Sequence, residues 1–191
     1  MKLIVRAVLF TVLQLLSAGF ALAEIEAPVD HSAVLSVVPN VVLPSLKLIR
    51  QDGTTADFPN ELDDGKPVLL TFVYTSCKAV CPVISHVMKG VQTKLGPRAN
   101  QIHMASITVD PEFDTPDRLT QYAHQLEAGP QWIHYTGHYD DIFAFEKAFD
   151  VYRGDKMNHV TVFFVRRAPG QPWSRFINFV KPDSIIKELG L

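Results

Sequence analysis

The sequence predicts an α/β fold: a three-layer sandwich in which one central sheet carries helices on both faces. Three observations point to it. The run Val68-Leu69-Leu70-Thr71-Phe72-Val73-Tyr74 has the length, apolarity and β-branched content of a strand buried on both faces. Strand-like and helix-like patterns alternate after it, as they do around parallel strands. Near the C-terminus, Val160 to Val165 and Ser174 to Phe179 flank a Pro/Gly turn and read as a hairpin, with a closing helix from Pro182 to Leu189.

The chain opens with Lys2 and Arg6 ahead of the apolar stretch Ala7 to Phe20, and Ala21-Leu22-Ala23 before Glu24 has the small-x-small form of a cleavage site. Residues 1–23 are therefore expected to be a secretory signal peptide. The rival reading is an uncleaved membrane anchor, but the stretch is short for a span and Gln14 interrupts it. Either reading puts the folded part on the exported, periplasmic side. Removing this segment takes away two basic residues and no acidic one, leaving 16 basic against 20 acidic residues, a net charge of −4. That balance, without a Lys/Arg stripe or a nucleic-acid motif, excludes a nucleic-acid binder. The remaining 168 residues suffice for one domain with a substantial core.

Residues 24–42 contain Pro28 and Pro39 and little periodicity, and are expected to form an extended arm leading into a domain over 43–191. Leu46 to Arg50, a turn carrying Asp52-Gly53, and Ala56 to Phe58 predict a hairpin added before the core. The Val68–Tyr74 strand follows, then a helix to about Leu95. Ile102 to Val109 alternates as a strand and ends in the turn Asp110-Pro111-Glu112. Thr115 as N-cap, Pro116 at the first helical position and Asp117 in the first turn start a helix running to Leu126. Trp132 to Tyr135 is a short strand and Tyr139 to Phe149 an apolar-periodic helix. Arg166 and Arg167, just before Ala168-Pro169-Gly170, are expected to be solvated at the tip of the late hairpin.

The order of elements describes a thioredoxin-like core. Its only two cysteines, Cys77 and Cys81, fall at the turn between strand and helix. The electropositive start of a helix favours thiolate over thiol, and a spacing of four lets both sulfurs share one side of the first turn. A bridge closing so small a loop removes little unfolded-state entropy, so the pair reads as soft-metal or thiol chemistry rather than as a staple. In thioredoxin-like folds a cis-proline usually precedes the late strand and faces the cysteine turn. Here His159 holds that place, and by itself it reads as a satisfied core histidine or a loop cap sooner than as a ligand.

His86 and His124 are expected in surface or packing roles, and His103, His134 and His138 have no partner at ligand spacing. Met88 and Met104 read as fillers, whereas Met157, two residues before His159, is placed to act as a transient ligand. Asp110 and Glu112 read mainly as a turn, with carboxylates able to shape the rim of a site beside the cysteines. No Ser-His-Asp set, Gly-rich phosphate loop or four-ligand zinc pattern is present.

Thr75-Ser76-Cys77-Lys78-Ala79-Val80-Cys81-Pro82 resembles the cysteine motif of the Sco/SenC family of copper proteins. Thr108-Val109-Asp110-Pro111-Glu112-Phe113-Asp114-Thr115-Pro116 resembles its second signature, and Asn158-His159 before an apolar strand resembles its histidine. The resemblance runs in consistent order from about Leu43 to the C-terminus. It implies a metallochaperone that binds copper through Cys77, Cys81 and His159 and helps assemble the dinuclear copper centre of cytochrome c oxidase subunit II. Two thiolates and one imidazole suit Cu(I), and with an added oxygen ligand can hold Cu(II). Lys78-Ala79 stands where the family often has Pro-Asp, and Asp155 lies four residues ahead of the histidine rather than just before it. The alternative is an exported thiol-disulfide oxidoreductase, with Cys77 as nucleophile and Cys81 resolving. A peroxiredoxin-type peroxidase ranks last, because Tyr74 occupies the place of its active-site threonine.

Overall fold

The structure, a computed structural model, describes residues 33–38 and 41–191. The expected signal segment and much of the expected arm lie outside the described residues. The strands are β1 (Val34–Val38), β2 (Leu46–Arg50), β3 (Thr55–Phe58), β4 (Val68–Val73), β5 (His103–Thr108), β6 (Trp132–Thr136), β7 (Val162–Arg166) and β8 (Trp173–Ile177). The helices are α1 (Cys81–Leu95), α2 (Pro116–Leu126), α3 (Tyr139–Ala148) and α4 (Pro182–Leu189). No helix among the described residues is long and apolar enough to cross a membrane.

The strands form one eight-stranded sheet in the order β1-β8-β7-β4-β5-β6-β2-β3. β4 lies at its centre, parallel to β5 and antiparallel to β7. Parallel neighbours demand a crossover, and α1 supplies it between β4 and β5 as α2 does between β5 and β6. The β2–β3 hairpin adds to the edge beyond β6, in register Leu46 opposite Phe58. On the other edge β1 pairs antiparallel with β8, Val34 opposite Ile177, so part of the stretch read as an arm is a strand of the sheet.

Every residue of β4 is buried, and alternation sends its side chains into two separate cores. Leu69 and Val73 pack with Ile84, Met88 and Val91 of α1 and Ile185 of α4. Val68, Leu70 and Phe72 face the opposite layer with Phe145, Phe149, Phe164 and Trp173. There Phe149 meets Phe164 at 4.6 Å and Trp173 at 5.1 Å between ring centroids, in edge-to-face arrangements that suit aromatic quadrupoles. Helix, sheet, helix is the three-layer sandwich the alternating pattern predicts. The one polar side chain in β4, Thr71, donates to the Val162 carbonyl at 2.8 Å. The Phe58–Pro59 peptide is cis, and it lies at the end of the added hairpin, away from the late strand.

Arg166 does not lie at a solvated tip. β7 extends through it, and the guanidinium, 6% exposed, donates to the Leu62 carbonyl at 2.7 Å, pairs with Asp63 and lies over the Trp173 ring. A buried cation needs this much compensation. Arg167 reaches instead to the Glu188 carbonyl at 2.8 Å at the end of α4.

Glu146 is the reverse case. It sits one residue after Phe145 on the buried side of α3, is 7% exposed, and its carboxylate has no hydrogen-bond or ion-pair partner among the described residues. Burial alone pushes its pKa up to about 7. Between the ordinary carboxylate range and pH 7 the unfolded chain has released this proton while the folded chain keeps it, so stability falls as pH rises through that window. Glu146→Gln is accordingly expected to raise stability at pH 8 by on the order of 2 kcal/mol and to leave it nearly unchanged at pH 4. Urea unfolding of both proteins at the two pH values measures the difference.

Candidate metal centre

β4 ends at Val73, and after the buried Tyr74 the chain turns, the Cys77 amide donating to the Tyr74 carbonyl at 3.1 Å. Cys81 is the first residue of α1 and its amide points back at the Cys77 sulfur, 3.4 Å away. The helix start needs little else. Pro82 has no N–H to satisfy, and the amides of Val83 and Ile84 both reach the Val80 carbonyl. The Cys77 sulfur thus fills the place usually taken by a Ser or Asp cap.

The two sulfurs are unlike. Cys77 is partly exposed and Cys81 is fully buried. Desolvation works against the Cys77 thiolate, but hydrogen bonds from the Cys81 thiol and amide, the Tyr74 hydroxyl and the Ala79 amide outweigh it and hold its pKa below the ordinary thiol value. Burial, with the neighbouring Cys77, pushes the Cys81 thiol well above that value. Of the pair, Cys77 is the thiol that ionises first and Cys81 the one that holds its proton longer. Lys78 and Ala79 between them are exposed.

The turn is anchored by Asp114, which is 0% exposed. Its carboxylate accepts from the Thr75 amide at 3.1 Å, from the Thr75 hydroxyl, and from the Thr108 hydroxyl at 2.6 Å. Thr115 does cap α2 as its sequence implies, accepting from the Arg118 amide. Asp114, beside it, faces inward and ties the end of β5 to the cysteine turn.

His159 arrives from the other side of β4. Asp155 accepts the Met157 amide at 2.8 Å and starts the 3-10 turn Lys156–Asn158, which leaves His159 extended and 8% exposed. Its Nε2 lies 2.9 Å from the Phe72 carbonyl. Desolvation lowers its pKa, so the ring is neutral at pH 7. A carbonyl only accepts, so Nε2 carries the proton and Nδ1 the lone pair. A ring N–H anchored on a backbone carbonyl is the usual posture of a metal-ligating histidine.

Tyr74 touches both halves of the site. Its hydroxyl reaches the Cys77 sulfur and, at 3.6 Å, the Met157 sulfur, and its ring meets that of His159 edge-on at 6.5 Å between centroids. Lys156 binds Asp110, joining the histidine loop to the Asp110-Pro111-Glu112 turn. The structure brings Cys77 and Cys81 into contact and sets His159 beyond Tyr74. Among the described residues no three His, Cys, Asp or Glu side chains stand together as a metal-holding set. The other histidines lie elsewhere: His86, His124 and His138 are exposed, His103 lies beside Asp64, and His134 is sealed against Trp132 with burial lowering its pKa to about 3. Met88 and Met104 are core residues and Met157 is 71% exposed.

Sequence reasoning passed over two residues. Tyr74 and Asp114 act through partners far along the chain, and their only local signals are an aromatic at the end of a buried strand and an acidic residue just ahead of an N-cap. Asp114→Ala is expected to destabilise the fold by about 2–4 kcal/mol, because the Thr75 amide and Thr108 hydroxyl lose their acceptor; denaturant unfolding reads the loss. Tyr74→Phe removes a donor to the Cys77 thiolate. It is expected to shift the midpoint of Cys77 alkylation by iodoacetamide to higher pH and slow the reaction at pH 7, leaving the unfolding midpoint little changed.

A family model described as SCO1/SenC matches residues 39–190. A protein of Stutzerimonas stutzeri named for copper binding is 29% identical over 123 residues, 64% of this chain and 58% of that one. The chain spans less than two thirds of each of the curated relatives it matches. The structure of Bradyrhizobium japonicum ScoI with copper bound superimposes with a TM-score of 0.66 at 24% identity, covering 78% of this chain and 98% of that one. BsSco, described as a member of the Sco family of cytochrome c oxidase assembly proteins and as carrying a disulfide switch, superimposes with a TM-score of 0.66 at 23% identity, covering 78% and 91%. These likenesses share the thioredoxin-like fold, and the match to the family model extends over nearly all of the folded domain, so the chain belongs to the SCO1/SenC family.

Proposed function

We propose that this protein is a copper-binding assembly factor of the exported compartment. In this reading Cys77, Cys81 and His159 hold Cu(I) as cargo and pass it by ligand exchange to an exported copper protein, cytochrome c oxidase subunit II being the recipient implied by the resemblance. The observation that carries it is the pairing of a stabilised Cys77 thiolate with a buried Cys81 thiol, next to a histidine whose Nε2–H is already anchored and whose Nδ1 lone pair is left for a ligand. Relatives named for copper binding and for oxidase assembly support the same reading. Loading displaces the Cys81 proton, so affinity for Cu(I) increases with pH. His159 sits across Tyr74 from the sulfurs, so it is the ligand whose engagement requires the loop to move.

The asymmetry of the two thiols supports a second reading in which the pair reduces a partner's disulfide. The Cys77 thiolate attacks one partner sulfur, forming a mixed disulfide and expelling the other as thiolate. Cys81 then loses its proton and attacks the Cys77 sulfur, closing a Cys77–Cys81 bridge and releasing the partner as a dithiol. Two electrons leave this protein and two enter the partner. The same sulfurs cannot be bridged and bind metal at once.

Anaerobic titration of the reduced protein with Cu(I) against a competing chelator separates the readings. One-to-one binding is expected, abolished by Cys77→Ser or Cys81→Ser and weakened in His159→Ala by more than the roughly 10–100-fold that loss of a supporting contact produces. Equal affinity in wild type and His159→Ala would remove the histidine from the ligand set. Absent binding with a readily reducible Cys77–Cys81 bridge would leave the reductase reading alone.

A further inference from the structure

A cavity of about 330 Å³ opens between α3, the Asp110-Pro111-Glu112 turn and the loop leading to His159. Tyr139, Ile142, Phe143 and Glu146 present one face of α3 to it, the spacing of successive helical turns. Glu146 lines this cavity with the residue 7% exposed, and its carboxylate has no hydrogen-bond or ion-pair partner among the described residues. The two cations in the lining are already spent. Lys156 binds Asp110, and Arg153 donates to the carbonyls of Asp150 and Tyr152 and lies 3.8 Å from Asp150. Of the remaining carboxylates, Asp155 accepts the Met157 amide, and Glu112 adds a further negative charge. The walls are aromatic: Phe143 stacks on Tyr139 at 6.0 Å and meets Tyr152 edge-on at 4.7 Å between ring centroids. Phe143 already carries a cation on its outer side, the Lys147 ammonium at 4.5 Å.

We propose that this cavity is a receptor for a basic side chain of a partner protein, an arginine or lysine whose apolar stem lies against Tyr139, Phe143 and Tyr152 and whose charge pairs with Glu146. Each part of the site asks for that occupant. A buried carboxylate without a partner is costly until a cation reaches it. Aromatic rings attract a cation on their faces and accept an aliphatic stem along them. The volume falls at the lower end for small-molecule pockets and suits one long side chain. A neutral or anionic guest supplies no counter-charge to Glu146. His159 also lines the cavity, so the docking point borders the proposed metal site; the groups that would hold the guest, Glu146 and the aromatic walls, are not among the proposed ligands.

The test uses the isotope-labelled full chain and four probes: Nα-acetyl-arginine amide, Nα-acetyl-lysine amide, and their neutral counterparts Nα-acetyl-citrulline amide and Nα-acetyl-norleucine amide. Saturable amide shifts confined to Tyr139, Phe143, Glu146, Tyr152 and their neighbours are expected with at least one of the charged probes. Affinity for it should fall by roughly tenfold or more in Glu146→Gln, and severalfold in Tyr152→Leu, which trims the exposed wall without touching the core. Cys77→Ser should bind as wild type does. Equal binding of the neutral and charged probes, unchanged affinity in a Glu146→Gln protein that keeps its amide spectrum, or no saturable shift with either charged probe each overturns the proposal.

Discussion

Burial of β4 on both faces is the constraint on which the rest of this structure depends. A strand covered by two cores has no lateral exit for a polar or reactive group. Its one hydroxyl is consumed by a neighbouring carbonyl, and everything chemical is displaced to the end where the strand leaves the sheet. Tyr74, Cys77 and Cys81 come from that end, and His159 enters from the antiparallel neighbour β7 to bond the carbonyl of Phe72. In open α/β sheets the C-terminal ends of parallel strands are where ligands collect, because helix N-termini and loops converge there. The same rule places the cysteine turn, the Asp114 anchor after β5 and the histidine loop in one neighbourhood, although they come from three distant stretches of chain.

The layers were legible in the sequence because they depend on local periodicity. Val68 to Val73 is apolar without alternation, α1 repeats apolar residues over successive turns, and Thr115-Pro116-Asp117 marks a helix start, so each element could be read in isolation. The features that were not legible are pairings. β1 is a short strand flanked by prolines with exposed valines, and only its partner β8 makes it part of the sheet. Arg166 looked like a solvated tip because nothing near it in sequence shows that Asp63 and Leu62 await it. Asp114 bonds a threonine 39 residues away. The cysteines and His159 were nameable from motif and resemblance, but Tyr74, which separates and touches both, was visible only once the loops were set in space.

Charge is distributed unevenly around this end of the sheet. At the cysteines the fold supplies donors, from amides and a tyrosine hydroxyl, so negative charge on sulfur is favoured. Across the histidine loop it leaves a largely buried carboxyl group with no counter-charge. His159 stands at the boundary between a region that stabilises an anion and one that lacks a cation. Natural sequences concentrate such local costs where function demands them and recover stability elsewhere, here in the two aromatic and aliphatic cores.

The sulfur cap at the start of α1 has a mechanical consequence. Because Pro82 contributes no donor and the next two amides share one carbonyl, the first turn of this helix is linked to the state of Cys77 through one residue, Cys81, by its amide and its thiol. The Cys77 sulfur can gain or lose a partner while the later turns, packed into the core, stay wound, which leaves the movement that brings in His159 to its own loop.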